Sequence, residues 1–536
     1  MIKQLLTFGF TIFTLIIHSQ SIESNLEWYS QQVLTDARST FIQQDESGLV
    51  VVHHSDKFYN IKKLDENYNT LDSINLSVKT LKFNEPSKLI YSSSVSVNDY
   101  YYLFKVVYSK TRNIHDLLYW RVDLRTMEFD LKPVKIAEYA KLDPGIVKTP
   151  HIATSPNGKL LFVGYHYLNP KKDQSKKHHF TFKGKVMTNG GELVWEKELD
   201  FEEGKRFFEE RFNEIQLSNS GNLLIKQHRP SNFYFASRET NGFVKTNLLE
   251  KLSEGITNFV QANRLIVLNN NSLSNSTFAI SFSNTREELN TSGYCVFEID
   301  DQGEITINNQ FNVPEKITHY KTGVKSKNEI DDFRSIGKGA ANLHRWSSAA
   351  FEQTENGLVL ITTYAMHVYE LNMAFQMKPI PVESKFGDIV TYLLDENGNL
   401  ENTYLIPKNF QSSCNYQHCG RLYYNNSWGF SYNLSNESLD LYYWNNSRNE
   451  PLFDKIPTSG VLYDLPAKEE FTSFYKTSLS LDNYESKTEK ISSYKRGGFY
   501  IVGGESIQVE GGLLFNAINP TPGSVNYHRY VMLPNN

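Results

Sequence analysis

The residue types best suited to chemistry crowd into one short stretch, Cys414-Asn-Tyr-Gln-His418-Cys419. Two thiols and an imidazole this close could hold a metal. A tetrahedral zinc site, however, needs a fourth ligand or an open water position, and this spacing matches no standard finger. In an oxidising compartment the two thiols are expected to close a local disulfide, Cys414–Cys419. The third cysteine, Cys295 in Gly-Tyr-Cys-Val-Phe-Glu-Ile, reads as a buried strand thiol. Three cysteines are too few to build a fold from disulfides.

A second group is His344, Arg345 and Trp346, closing the run Ser-Ile-Gly-Lys-Gly-Ala-Ala-Asn-Leu-His-Arg-Trp. Arg and Trp side by side on small, flexible residues suit a binding hot spot. The competing reading packs Trp346 beneath its own loop and leaves Arg345 solvated. The Gly-Lys-Gly-Ala within the run lacks the glycine spacing and the Lys-Ser/Thr ending of a phosphate loop. The stretch Asn169–Gly184 is locally basic and reads either as a solvated hairpin tip or as a dock for an acidic partner.

The chain carries none of the common catalytic signatures. It has no His-Glu-x-x-His zinc motif, no Gly-x-Ser-x-Gly nucleophile elbow and no EF-hand loop. A glycosidase needs only two carboxylates at suitable separation, which a β-fold draws from distant positions without leaving a motif. No catalytic residue, metal ligand or cofactor is therefore assigned from sequence. Asn-x-Ser/Thr sequons at Asn75, Asn290 and Asn433 are expected by chance in a chain so rich in Asn and Ser.

The elements that would position these groups are hairpins of two alternating kinds. Phe41–His54, Ala153–Tyr165, Ile215–His228 and Phe351–Tyr364 each carry a polar turn ending on glycine, then a run of large apolar residues. The turn glycines Gly48, Gly158, Gly221 and Gly357 are separated by 110, 63 and 136 positions. Those spacings fit a unit of about 55 to 68 residues with weaker copies between. The second kind is a strand, an Asp/Asn/Gly turn and a strand, beginning at Leu64, Met187, Arg238, Ile299 and Leu394. Such turns tolerate positive φ and favour tight hairpins. Two hairpins make four strands per unit, and abundant Tyr (32) and Phe (34) favour strands over helices.

Four-stranded units repeated radially are the blades of a propeller, in which each sheet buries both faces against its neighbours. The alternation resembles extracytoplasmic β-propeller repeat proteins of the broad kelch, WD-repeat and quinoprotein-like kind. No per-blade docking tryptophan, Trp-Asp series or double-glycine series ties it to one family, so the resemblance implies an architecture and no site residues. The expected fold class is all-β: a single β-propeller of about seven blades, with eight allowed, and long inter-strand loops. Separate β-sandwiches would use the same hairpins and are the alternative.

The N-terminus has Lys3, an apolar run from Leu5 to Ile17, and small residues at Ser19 and Ser21, the three-part pattern of a secretory signal peptide. The expected organisation is a signal peptide over 1–21 and a propeller over 22–536. Within the propeller, an irregular loop is expected at 321–350 and a charged loop at about 482–496. A formal charge of −5 argues against a nucleic-acid partner. After signal cleavage, no segment is expected to span a membrane. These features together point to an extracytoplasmic protein (periplasmic, cell-surface or secreted). Its expected role is non-catalytic binding or scaffolding, with a protein partner of the envelope or surface first and a glycan second. The alternative is an exported glycan hydrolase or lyase on the same scaffold.

Overall fold

The computed structural model describes residues 27–28, 32–34, 38–45, 48–54, 58–77, 87–140, 150–168, 180–200, 212–227, 232–256, 259–269, 276–283, 291–317, 324–326, 341–343, 346–372, 378–413, 430–454, 457, 460–463, 471–493, 500–509, 512–519 and 526–534. Its strands assemble into eight antiparallel sheets of four strands or slightly more, arranged as the blades of a β-propeller. Blade 1 is Arg38–Asp45, Gly48–His54, Phe58–Leu64 and Thr70–Ser77. Blades 2 to 7 open with Ser87–Val97, His151–Thr154, Phe212–Leu217, Gln261–Val267, Trp346–Thr354 and Phe430–Leu434. Blade 8 is Tyr500–Val509, Gly512–Asn519 and Asn526–Pro534, with an outer edge supplied by Glu27–Trp28 and Gln32–Leu34.

Both kinds of hairpin fall where the repeats place them. The glycine-ended turns join the first and second strands of blades 1, 3, 4 and 6, and the Asp/Asn/Gly turns join third to fourth strands. The turn chemistry explains the recurring Asp. Asp65 Oδ1 accepts the N–H groups of Asn67 and Asn69 at 2.8 Å each. Asp300 does the same for Gln302 and Glu304, and Asp395 for Asn397 and Asn399. Each Asp side chain thus mimics a backbone turn. The two turn types also meet within a blade. Gly48 (φ +119) and Gly357 (φ +144) lie under the neighbouring turn, where a Cβ would approach Leu64 O to 2.6 Å and Leu394 O to 2.1 Å. Only glycine meets both the backbone angle and the clearance.

Apolar runs become strands buried on two faces, because each blade has a neighbour on either side. Leu161, Phe162 and Val163, on the second strand of blade 3, are fully buried. Blades 1 and 2 share Val52, Ile61, Leu103 and Trp120. Blades 5 and 6 share Tyr294, Val296, Leu360 and Tyr392. Between blades 7 and 8, Trp444 lies against Phe474, and its Nε1 donates to Ile501 O at 2.7 Å. Cys295 is the buried strand thiol that its surroundings in the sequence imply, and burial pushes it up to about 12.

First strands touch between blades 3 and 4, 4 and 5, 5 and 6, and 7 and 8, and the first strand of blade 8 meets that of blade 1. Closure is antiparallel: Glu27 and Trp28 pair with Met532 and Val531, and Gln32 to Leu34 pair with His528 to Asn526.

One expected loop is corrected, and the described parts of another are paired. Within the charged stretch at about 482–496, the described residues up to Ser493 are a turn followed by the strand Ser486–Ser493, the outer strand of blade 7. Lys487 and Glu489 alternate outward there, as suits an edge strand with one side in water. The interval 321–350 contains three paired segments. Val324–Ser326 runs parallel to Gly460–Leu462, Ala341–Leu343 pairs with His367–Tyr369, and Trp346 opens the inner strand of blade 6. Short runs with few apolar residues show no periodicity before their distant partners are known.

Candidate functional site

The strand order gives the ring two unlike faces. Every first-to-second and third-to-fourth turn leaves from one end, the turn face. All other connections leave from the opposite end, the loop face. Hydrogen bonds between blades stitch the turn face together. Asn157 N–H donates to Asn219 Oδ1 at 2.9 Å, Asn222 Nδ2 to Asp301 Oδ1 at 2.9 Å, and Asn436 Nδ2 to Glu355 Oε1 at 2.6 Å.

The connections that carry the groups singled out in the sequence are attached at strand ends on the loop face. Trp346 enters the inner strand of blade 6 there, its backbone paired with Tyr364. His344 and Arg345, just before it, lie outside the described residues. Cys414 and Cys419 also lie outside them, directly after the blade 6 outer strand ends at Ser413. The basic connection 169–179 starts and ends on this face too, and its remaining residues 180–184 belong to the strand Phe180–Thr188. The signal-peptide interval 1–21 lies outside the described residues.

Blade 6 is distinctive at this face. Its second and third strands, Gly357–Asn372 and Lys378–Leu394, are 16 and 17 residues long, whereas the inner strand has 9. Pairing continues past Trp346↔Tyr364 to Asn372↔Lys378. At about 3.3 Å per residue the hairpin runs roughly 25 Å beyond the start of the inner strand.

At the turn face a cavity of about 650 Å³ opens among the inner strands of blades 5 to 8. Asn269, Glu352, Tyr432 and Ser506 each represent one of those four blades on its wall. Asn269 N–H donates to Phe351 O at 2.8 Å, and Gln353 N–H to Asn269 O at 3.4 Å, so blades 5 and 6 bridge in parallel. Tyr432 OH donates to Glu352 Oε1 at 2.6 Å, joining blade 6 to blade 7. Burial raises the Glu352 carboxyl above its ordinary range, while hydrogen bonds from Tyr432 and Asn269 oppose the shift. Burial also raises Tyr432, and the adjacent Glu352 charge adds to it.

Glu352 is the single carboxylate among the described residues lining this cavity, and no Lys, Arg or His accompanies it there. Higher on the axis, Glu214 is already engaged by Arg264 at 3.2 Å and by Leu265 N–H at 2.7 Å. Among the described residues no group of His, Cys, Asp and Glu could hold a metal ion, and no helix is long and apolar enough to cross a membrane. Sequence reading passed over Glu352, which stands inside the repeat Phe-Glu-Gln-Thr-Glu-Asn-Gly. One signal was available: counted back equally from the turn glycine, the four copies carry Gln43, Ala153, Gln216 and Glu352. An acid in one copy alone marks a place where the scaffold does not require it.

Neither a protein-family model nor a curated protein sequence matches the chain. Solved structures similar in fold include the WD40 domain of SCAP from fission yeast, at 7% identity, 95% of this chain, 98% of that chain and a TM-score of 0.38. Prolyl oligopeptidase B from Galerina marginata is similar at 9% identity and a TM-score of 0.35, over 93% of this chain and 56% of its own. The polysaccharide lyase Uly1 is similar at 11% identity, over 95% of this chain and 100% of its own, with a TM-score of 0.31. No residue role is carried over from any of them.

Proposed function

We propose that the chain is an exported, non-catalytic binding propeller that engages a protein partner of the cell envelope or surface through its loop face. The observation that carries this reading is the asymmetry of the ring. Most connections at the turn face are short, hydrogen-bonded turns, and the connections of nine or more residues all start and end on the other face, where blade 6 projects beyond the ring. Loops held by a rigid scaffold are the usual carriers of recognition. The signal-peptide pattern supports export, and an Arg-Trp pair at the mouth of blade 6 suits a hot spot.

The enzyme alternative requires two carboxylates in working geometry, and among the described residues the lining of the axial cavity offers one, already held by Tyr432 and Asn269.

Mild crosslinking and affinity purification from the native host tests the reading. A stoichiometric protein partner is expected, and Arg345→Ala with Trp346→Ala should weaken its capture. Recovery of the chain alone, or capture unchanged in that double variant, counts against it. N-terminal sequencing of the mature protein tests export, with a start near Ser21 or Ile22 expected.

A further inference from the structure

The axial cavity lies at the end of the ring away from the proposed partner face, and its chemistry differs from that of the loops. Four inner strands meet there, and each pairs within its own blade on one side only. Outside the short bridge at Asn269, their other backbone edges therefore turn toward the axis. The side chains added to those edges are mainly uncharged hydrogen-bonding groups, including Asn269, Gln353, Asn433 and Ser506. Amides and hydroxyls of this kind donate and accept. Phe430, Tyr432 and Leu434 alternate with them; they pack in part against the core between blades 6 and 7 and present their remaining surface to the cavity beside the polar groups.

The wall excludes several ligand classes. An anion would meet Glu352 and no cation among the described lining residues. An apolar ligand would strip water from the amides and hydroxyls without replacing their hydrogen bonds. A cation would find Glu352 already accepting from Tyr432 and Asn269. A ligand whose own groups all donate and accept matches the wall. A volume of about 650 Å³ falls within the size range of small-ligand sites.

We infer that the turn-face cavity, walled by Asn269, Glu352, Gln353, Tyr432, Asn433 and Ser506, binds a neutral saccharide of about two rings. Glu352, fixed by Tyr432 and Asn269, acts as a directed acceptor for sugar hydroxyls rather than as a counter-ion. The inference does not depend on the partner at the loop face, because the two sites occupy opposite ends of the ring.

The test is calorimetric titration of the folded protein with maltose, cellobiose, lactose and diacetylchitobiose, with choline as the cationic control. Binding of at least one disaccharide with a Kd of about 1 mM or tighter is expected. Gln353→Trp, which fills the cavity from an exposed position, should abolish that binding. Asn433→Leu should weaken it about tenfold, the loss of one well-made hydrogen bond. Glu352→Gln, which keeps an acceptor without the charge, should retain it within about threefold. If Gln353→Trp fails to fold, Ser506→Gln makes a smaller intrusion from blade 8 and should weaken binding. The inference is overturned if no disaccharide binds, if binding survives both intrusions, or if choline binds and Glu352→Gln removes that binding.

Discussion

Acidification from pH 7 to pH 5 should loosen the contact between blades 3 and 4, and one substitution should remove part of the effect. His151, on the inner strand of blade 3, and His166, on its second strand, have ring centroids 5.6 Å apart. Phe182 and Phe212 surround both. Burial pushes His151 down to about 4, and burial together with the neighbouring His151 pushes His166 well below its ordinary value. Both folded values lie below the unfolded value near 6.5, so between them the unfolded chain binds more protons. Stability is therefore complete above about pH 6.5 and declines as the pH falls toward the folded values. Over the roughly 1.5 pH units down to pH 5, at about 1.4 kcal/mol per unit, each histidine contributes up to about 2 kcal/mol of loss. Partial exposure of His151 makes that figure a ceiling for its share. The assay is the urea midpoint at pH 7, 6 and 5 for the wild type and for His151→Phe, which keeps a ring in the aromatic cluster. The wild type should lose stability across the series, and the variant should lose markedly less. An unchanged wild-type midpoint, or equal slopes in the two proteins, would refute the assignment of the protons to this pair.

Three further outcomes are expected. Gly357→Ala should destabilise the ring by about 1 to 3 kcal/mol in thermal or urea unfolding, because its Cβ would lie 2.1 Å from Leu394 O at a φ of +144. Tyr432→Phe removes a 2.6 Å hydrogen bond to Glu352. It should move the Glu352 titration upward by NMR and cost about 1 to 2 kcal/mol above that titration. Lys105 is buried, its ammonium lies 5.4 Å from the Trp120 ring centroid, and its pKa is pushed down to about 8. Lys105→Met should leave the thermal midpoint unchanged or raise it, since a buried charge costs more than a thioether of similar shape; a clear fall would show that the ammonium stabilises the fold.

Local chemistry made the blades legible, and distance in sequence hid the rest. Gly48, Gly158, Gly221 and Gly357 mark hairpins because a positive φ leaves a sequence trace. Asp65, Asp300 and Asp395 mark the second hairpins because an Asx turn requires that side chain. The eighth blade was less visible. Its outer edge comes from Glu27–Trp28 and Gln32–Leu34, far from the strand Asn526–Pro534 that they pair with. No local pattern encodes such a pairing. Ser486–Ser493 resembled a loop for the opposite reason, because an outer strand has only one neighbour and tolerates charge on its open side. The axial cavity was illegible because its wall is assembled from blades 5 to 8, with one run, Phe430–Asn436, from blade 7 and one to three residues from each of the others. Only the departure of Glu352 from the pattern of its repeat hinted at it.

The same geometry separates the two proposed sites. At the turn face, a change in one turn is felt by the next blade, because Asn436 reaches Glu355 and Asn356 reaches Asp482 across blade boundaries. A cavity beneath such a network keeps its shape, and a preorganised shape favours a small ligand that has little binding energy for reordering its host. The connections of the loop face are attached at strand ends and are not needed for the turn-face bonds, so their length and composition can vary without disturbing the inner strands. Recognition of a large partner suits that end, because it draws on area rather than on a fixed pocket. A ring of repeated blades thus supplies a rigid end and a variable end at once. This is why the strands ending at Leu168 and Ser413 and the strand opening at Trp346 have those ends on one side, and the cavity lined by Glu352 and Tyr432 opens on the other.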